Sequence, residues 1–522
     1  MVQVAHRATA TARVRKIVIA ICLLAVAARL IFINQPYVDH WSWRQSDVAA
    51  IARNFLQDGF RFGYPQIDWS GNAPGYVGTE FPILPFIAAV CYKFAGVHEW
   101  IGRFQSVILF AVSLPFFFLV VRQVFGSTAA VWATFFYSFA PLNIFAGRSF
   151  MPDVPSLSLG IVGLYFFLRW VEDGQFSSVL VAAIVISLSL LIKITTIVIV
   201  APLAYLAVAA ICDRRQNNKR CLPESVGPSG DRRSLHFGAR RAPLWWLALF
   251  AAITLIPSTI WYWHAHQIAQ EFYPHHFFGA GGIRIESFSW YWHIAKQTLV
   301  SSLTPALSVM ALFGLFVPQP RDQKYSRVFH WWLAAMIVFI VIVGYGNRHR
   351  WYQLPLIPIA AAFAGGGCGF LASKIASRLA AITSSILLAV TFLILAFIYV
   401  GPSYESSAAQ LRDAGLELNK VTPPDALIVA ADMGDPTIFY YAERKGWHFL
   451  ENDAVYNGNP DDSAQAIRNL ERLRRGGATH FVFTKNTFWW MQSYPDFAAD
   501  LTSNATLIKA TPEFRIYELN SI

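Results

Sequence analysis

The sequence predicts a mainly α polytopic membrane protein of about eleven transmembrane helices, followed by a C-terminal soluble α/β domain. Three observations carry this. Of 522 residues, 55% are hydrophobic and only 14% charged, with a mean hydropathy of +0.41. Many windows reach the ~20 apolar residues that a helix needs to cross a hydrocarbon core of ~30 Å. From Ser403 onward the composition shifts to the mixed apolar and polar pattern of a water-facing domain. The net charge of +11 reports topology rather than nucleic-acid binding, because cytoplasmic loops collect Lys and Arg. The five cysteines (Cys22, Cys91, Cys212, Cys221, Cys368) show neither metal-ligand spacing nor a disulfide framework.

Spans are read at Ile17–Ile33, Ile101–Val121, Thr128–Ala146, Pro155–Val171, Val179–Ile192, Ile194–Ile211, Leu244–Tyr262, Thr298–Val317, Val328–Val343, Leu354–Leu371 and Ala380–Val400. Asn34-Gln35-Pro36-Tyr37 follows the first span where a cleaved signal would have small residues, so that span is read as a retained anchor. As one helix, Val179–Ile211 would run ~50 Å at ~1.5 Å per residue, too long for one crossing. It is read as two spans with Lys193 at an outer turn.

Charge sets the sidedness. Arg7, Arg13, Arg15 and Lys16 place the N-terminus in the cytoplasm. Span counting then puts Cys212–Pro243 inside, with eight basic residues (Arg214, Arg215, Lys219, Arg220, Arg232, Arg233, Arg240, Arg241) against three acids. The loops with Arg321, Lys324 and Arg327, and with Lys374 and Arg378, also fall inside. The first loop, with six acids and four bases, falls outside. The chain thus divides into a transmembrane domain over 1–402, with outer loops 34–100 and 263–297, and an extracytoplasmic domain over 403–522. In that domain Asp425–Asp432 reads as a buried strand and Thr437–Arg444 as a helix. Asp462–Arg475 is an amphipathic helix stopped by Gly476-Gly477, and Thr479–Thr484 is a second strand.

Acidic residues in the outer loops are the candidates for chemistry, since charge is costly near a bilayer. Asp39 precedes Val48–Gln57, whose Val48, Ile51 and Phe55 share a helical face and predict a helix lying on the membrane surface. Asp39 is either a cap for that helix or a general base. Glu80, before the short apolar stretch Phe81–Phe94, either favours a helix dipole or carries chemistry. Asp153, just before Pro155, is an ordinary helix start that also pairs with Arg148, or a third site carboxylate. Arg348 and Arg350 either anchor the interface with Trp351 and Tyr352 or bind phosphate through paired hydrogen bonds. Lys193 either snorkels or is a second candidate for binding the phosphate. The loop His264–Lys296 holds five histidines (His264, His266, His275, His276, His293), but its spacings favour a polar lid over a metal site.

The run WRQSDVAAIARNF at Trp43–Phe55, GTEFPILPF at Gly78–Phe86, RSFMPD at Arg148–Asp153, LLIK at Leu190–Lys193 and RWYQLPLIP at Arg350–Pro358 occur in an order that resembles the GT-C class of membrane glycosyltransferases. The nearest branch is that of the bacterial relatives of protein O-mannosyltransferases and of the lipid A aminoarabinose transferase. The resemblance implies a polyprenyl-phosphate sugar as donor and transfer to a lipid, glycan or protein acceptor at the outer face of a bacterial inner membrane. It implies inversion by direct displacement. A divalent metal is not expected. By the same resemblance Asp39 is first choice for the base, with Glu80 and Asp153 positioning acceptor or sugar. Arg350, with Arg348 and Lys193, would hold the lipid phosphate, and His40, Arg148 and Tyr352 would position substrate. Two departures stand out. Many relatives carry an Asp-Glu pair where this chain has Arg44-Gln45, with Asp47 shortly after, so Asp47 is the alternative base. Several relatives have a basic residue where this chain has Phe81, which shifts phosphate binding towards Arg348, Arg350 and Lys193. Two other readings compete: a flippase for a lipid-linked sugar, and a non-catalytic assembly protein of polysaccharide synthesis. A flippase would be expected to carry repeats and broken midplane helices, which the sequence does not display.

Overall fold

Apolar runs become helices wherever no water can satisfy the backbone. The computed structural model describes residues 2–220, 245–277, 283–318, 325–452 and 455–520. The expectations for Arg232, Arg233, Arg240, Arg241, Arg321 and Lys324 lie outside the described residues. The membrane part runs α1 (Val2–Leu30), α2 (Ser42–Gln57), α3 (Ile83–Ala95), α4 (Glu99–Phe125), α5 (Ser127–Phe139), α6 (Pro141–Ala146), α7 (Asp153–Asp173) and α8 (Phe176–Ile192). It continues with α9 (Val200–Arg220), α10 (Trp245–Glu271), α11 (Phe288–Gln297), α12 (Pro305–Phe316), α13 (Val328–Ile342), α14 (Leu356–Lys374) and α15 (Arg378–Val400).

Among the described residues, six helices are long and apolar enough to cross a membrane, or seven if a bent pair counts as one span. Among the described residues each of the eleven apolar segments falls mainly on helix, but two are broken. The segment Thr128–Ala146 divides at Ala140, which is extended (φ −60°, ψ 132°) before Pro141, as the residue before a proline tends to be. The segment Thr298–Val317 bends by 108° between Phe288–Ser302 and Pro305–Phe316. Thr304 there has φ 82°, and its hydroxyl accepts from the Leu307 N–H. Close packing of α12 on α14 uses glycine: a Cβ on Gly314 would lie 1.8 Å from the Phe363 carbonyl oxygen. Small residues allow such approach between membrane helices.

The C-terminal part adds α16 (Ala409–Val421), β1 (Ile428–Ala431), α17 (Thr437–Ala442), β2 (Gly446–His448), β3 (Glu451–Asn452) and β4 (Val455–Tyr456). After these come α18 (Ser463–Arg475), β5 (His480–Thr484), α19 (Trp490–Ser493), α20 (Pro495–Asn504), β6 (Ala505–Ala510) and β7 (Phe514–Leu519). The expected strands and helices of this region are present, and Asp462 caps α18 by accepting from the Gln465 N–H. Five strands form one sheet in the order β2-β1-β5-β7-β6, parallel at β2-β1-β5 and antiparallel beyond. Strand β1 is buried on both faces, which is why it reads as an unbroken apolar run. On one face Val429, Ala431 and Phe481 pack against α18 and α20.

The other face is completed by the first loop. Ile428, Val482 and Ile516 share a core with Val38, Ile51, Phe55 and Trp69. This corrects the expectation for α2, which begins earlier than Val48 and is enclosed rather than lying on a membrane surface. Its polar side is enclosed too. Arg53 pairs with Asp68 at 2.6 Å, and Asn54 donates to the same carboxylate at 2.9 Å.

Candidate active site

A structural break and an extended segment build the site. Helix α8 stops at Ile192, and Lys193 is extended (φ −156°, ψ 108°) before a short 3-10 turn. The hydroxyl of Tyr262 splices the break, 3.1 Å from the Leu191 carbonyl oxygen and accepting from the Ile194 N–H at 3.1 Å. Into this break runs the extended segment around Glu80. Its Gly78 N–H donates to the His276 carbonyl, and its Phe81 N–H donates to the Leu191 carbonyl. Gly78 must be glycine, since a Cβ would lie 2.1 Å from the Ala265 carbonyl oxygen.

Glu80 and Lys193 meet at 2.7 Å, and Arg44 from α2 reaches both Glu80 oxygens at 2.9 Å. Asp153, the first residue of α7, lies 3.8 Å from the Lys193 ammonium, and its Oδ2 has no hydrogen-bond partner. Burial alone would raise the Glu80 carboxyl, yet Arg44 and Lys193 hold it well below the usual carboxylate range. Buried charges of this kind persist only when paired.

Arg44, Glu80 and Lys193 border a cavity of about 300 Å³, with Asp153 behind Lys193. Trp43, Arg44, Glu80, Lys193, Arg348 and Tyr352 line it. Lys193 lies 5.4 Å from the Tyr352 ring centroid, and the Arg348 guanidinium lies 4.0 Å from that of Tyr345. Among the described residues Arg348 has no carboxylate partner, so its charge is available to an anion. Arg350 is not among the lining residues.

Asp47 lies one helical turn beyond Trp43 and Arg44 on the same face of α2. It is 2% exposed and accepts from the Trp69 indole N–H at 3.0 Å. Burial pushes its carboxyl up to about 6, against the Trp69 hydrogen bond and the charge of Arg44. Behind Trp69 stand His276 and His448, with ring centroids 5.3 Å from the indole in each case. Burial, with Arg44, brings His276 down to about 4. Burial opposes charge on His448, but Asp432, at 2.8 Å from its Nδ1, raises it.

Asp39 stands apart. It is 0% exposed, as are Arg103 and Arg148, whose guanidiniums reach its Oδ2 at 3.3 and 2.9 Å. Gln45 and the Trp41 N–H occupy its Oδ1. Arg148 therefore faces Asp39 and the Phe32 carbonyl rather than the cavity. His40 is exposed and borders a neighbouring cavity. Of the residues expected from sequence, Glu80, Asp153, Lys193, Arg348 and Tyr352 gather in one place, Asp47 adjoins them, and Asp39, Arg148 and Arg350 do not join them. Sequence reading does not single out Arg103, Trp69 or the Asp432–His448 pair. The available signal was Arg103 inside an apolar run, where charge is costly.

The loop histidines meet separate partners: His264 the Gly63 carbonyl, His266 the Gln270 amide, and His275 the Ala269 carbonyl. Among the described residues no three His, Cys, Asp or Glu side chains converge on a metal-sized site.

Residues 79–224 match the family model of dolichyl-phosphate-mannose-protein mannosyltransferases. A search of curated protein sequences gives no match. Among solved structures, the chain is similar to ArnT from Cupriavidus metallidurans bound to undecaprenyl phosphate, at 14% identity and a TM-score of 0.60, covering 96% of this chain and 97% of that one. It is also similar to the oligosaccharyltransferase AglB from Archaeoglobus fulgidus in complex with an inhibitory peptide and a dolichol-phosphate. There the identity is 13% and the TM-score 0.56, with 97% of this chain and 74% of that one covered. The family match over residues 79–224 and the shared architecture support the resemblance read from the motifs: the chain has the fold of the GT-C membrane glycosyltransferases such as ArnT and AglB.

Proposed function

We propose that this chain is an integral membrane glycosyltransferase that moves a sugar from a polyprenyl-phosphate donor to an acceptor at the outer membrane face. The observation that carries the reading is the convergence of Lys193, Arg44 and Arg348 on one cavity with Glu80. The undecaprenyl phosphate in the similar ArnT structure supports the donor class.

In the proposed step an acceptor hydroxyl or amine attacks the anomeric carbon, forming the glycosidic bond. The bond from that carbon to the phosphate oxygen breaks, and its electron pair leaves with polyprenyl phosphate. Lys193 and Arg348 meet the phosphate charge, as preorganised cations do at a developing anion. Glu80 keeps Lys193 and Arg44 aimed. Attack opposite the leaving group inverts the anomeric centre. The acceptor proton goes to a carboxylate, which we assign to Asp47, because its partner is a neutral indole whereas Asp39 is neutralised by two guanidiniums. A base reaches its proton in the substrate complex, where catalytic contacts tighten.

The surrounding topology follows the charge reading, with eleven spans, a cytoplasmic N-terminus and the 403–522 domain outside, and the resemblance implies residence in a bacterial inner membrane. Side chains rather than a metal carry the leaving-group charge, so EDTA is expected to leave turnover intact. The test is sugar transfer by the full chain in lipid nanodiscs, supplied with several undecaprenyl-phosphate sugars and bacterial lipid and glycan extracts, with products identified by mass spectrometry. Arg348→Ala is expected to lose ~100-fold in turnover, the scale of one lost charge-stabilising group. A wild-type protein that binds no undecaprenyl phosphate, or that carries the donor across a vesicle membrane without transfer, overturns the reading.

A further inference from the structure

A second cavity of about 430 Å³ opens beside the first. The two share Trp43, Arg348 and His349. The Trp43 indole stands 5.7 Å from both His349 and Trp351, which stack on each other at 4.4 Å. This aromatic group is the partition between the cavities. The far wall comes from the C-terminal sheet region: Gln410 in α16, Asp432 and Asp435 in the loop after β1, and Asn486 after β5.

The chemistry of this wall points to its ligand. Gln410 is 5% exposed, lines the cavity, and its amide has no hydrogen-bond partner among the described residues. The amide opens on the cavity and is not sealed in the interior, so its partner comes from the water or ligand that fills the space. Asp435 accepts from Ser42 at 2.7 Å through Oδ2 and from both the N–H and the hydroxyl of Thr437, at 3.0 and 2.5 Å, through Oδ1, leaving a lone pair on Oδ2. Asn486 is exposed and offers a second amide. Charge of both signs borders the space, with Arg348 facing Asp432 and Asp435, so neither an anion nor a cation is selected. A peptide strand would need a free sheet edge or apolar anchor pockets. Planar donor–acceptor groups beside an indole face suit a neutral polyhydroxyl ring, whose hydroxyls each give and take a hydrogen bond while its C–H face packs on the aromatic.

We propose that this second cavity is the acceptor subsite and that it takes a neutral sugar residue, held by Gln410, Asp435 and Asn486 and stacked at Trp43. The proposal rests on the glycosyltransferase reading and names its acceptor class as a glycan. The experiment is saturation-transfer NMR on the full chain in nanodiscs with glucose, N-acetylglucosamine, maltose and lactose as probes. Undecaprenyl phosphate binding is measured on the same samples. At least one saccharide is expected to receive saturation. The signal should fall about fivefold in Gln410→Leu and in Asn486→Ala, the scale of one lost hydrogen bond, with undecaprenyl phosphate affinity unchanged. In turnover, the acceptor KM should rise about tenfold at constant kcat, the mark of lost uniform binding. Asn486 is exposed, so its variant keeps the test valid if Gln410→Leu does not fold. Intact undecaprenyl phosphate binding with no saccharide signal, or with a signal unmoved by both substitutions, overturns the acceptor site and leaves the donor reading standing. Saccharide binding without undecaprenyl phosphate binding does the reverse.

Discussion

Asp39 and Asp47 belong to one loop and meet opposite surroundings. Asp39 is held between Arg103 and Arg148 with no exposure. Removing its charge leaves two guanidiniums facing each other, and breaking a buried pair in this way costs about 3–5 kcal/mol. Asp39→Asn is therefore expected to lower the thermal unfolding temperature strongly, while the folded fraction keeps its donor affinity. Asp47 carries the reverse signature. Its carboxyl is pushed up to about 6 by burial, so as a base it is lost when pH falls through that value. The rate is expected to decline below about pH 6, and Asp47→Asn should abolish it at every pH. The sign for stability is opposite. The folded state favours the neutral acid, so the contribution is present below the unfolded value and lost as pH rises through about 6. Asp47→Asn should stabilise by roughly 1–3 kcal/mol at pH 8 and by almost nothing near pH 3. Differential scanning fluorimetry at the two pH values decides between a charge effect and a packing effect.

At the level of elements, the apolar segments were legible because membrane helices advertise themselves by length and composition. Their breaks were partly legible. Lys193 in a long apolar run marked one, and Pro141 could have marked another. The turn at Thr304 depends on a positive φ, which no periodicity reveals. Helix α2 shows the limit of pattern reading. Val48, Ile51 and Phe55 disclosed a buried face, but the pattern cannot say whether lipid or protein covers it. The cover is residues such as Leu411 and Ile516, far along the chain. Glycine at the α12–α14 contact yields a test. Gly314→Leu must push the helices apart against the Phe363 carbonyl, and a drop of several degrees in unfolding temperature is expected, since overpacking costs ~1–3 kcal/mol. An unchanged melting curve would mean that α12 and α14 are not packed as described.

For the molecule as a whole, residue types and motif order led to the cavity, but its partition into a charged cluster and a sealed Asp39 network did not follow from them. The deciding partners, Arg44 for Glu80 and Arg103 for Asp39, are set by tertiary approach. Nor could sequence show that the C-terminal sheet and the first loop share one core. Deleting 403–522 would expose Val38, Ile51, Phe55 and Trp69 together, so the truncated chain is expected to aggregate in detergent rather than remain a smaller active enzyme, as size-exclusion chromatography would reveal. That common core also orders events at the ribosome. Helix α2 emerges roughly 350 residues ahead of the α16 that must cover it, an interval of about 20–70 s at ~5–20 residues per second. Throughout that interval the apolar stripe of α2 stays uncovered, and the pocket can form only after α16 and the sheet behind it have been made.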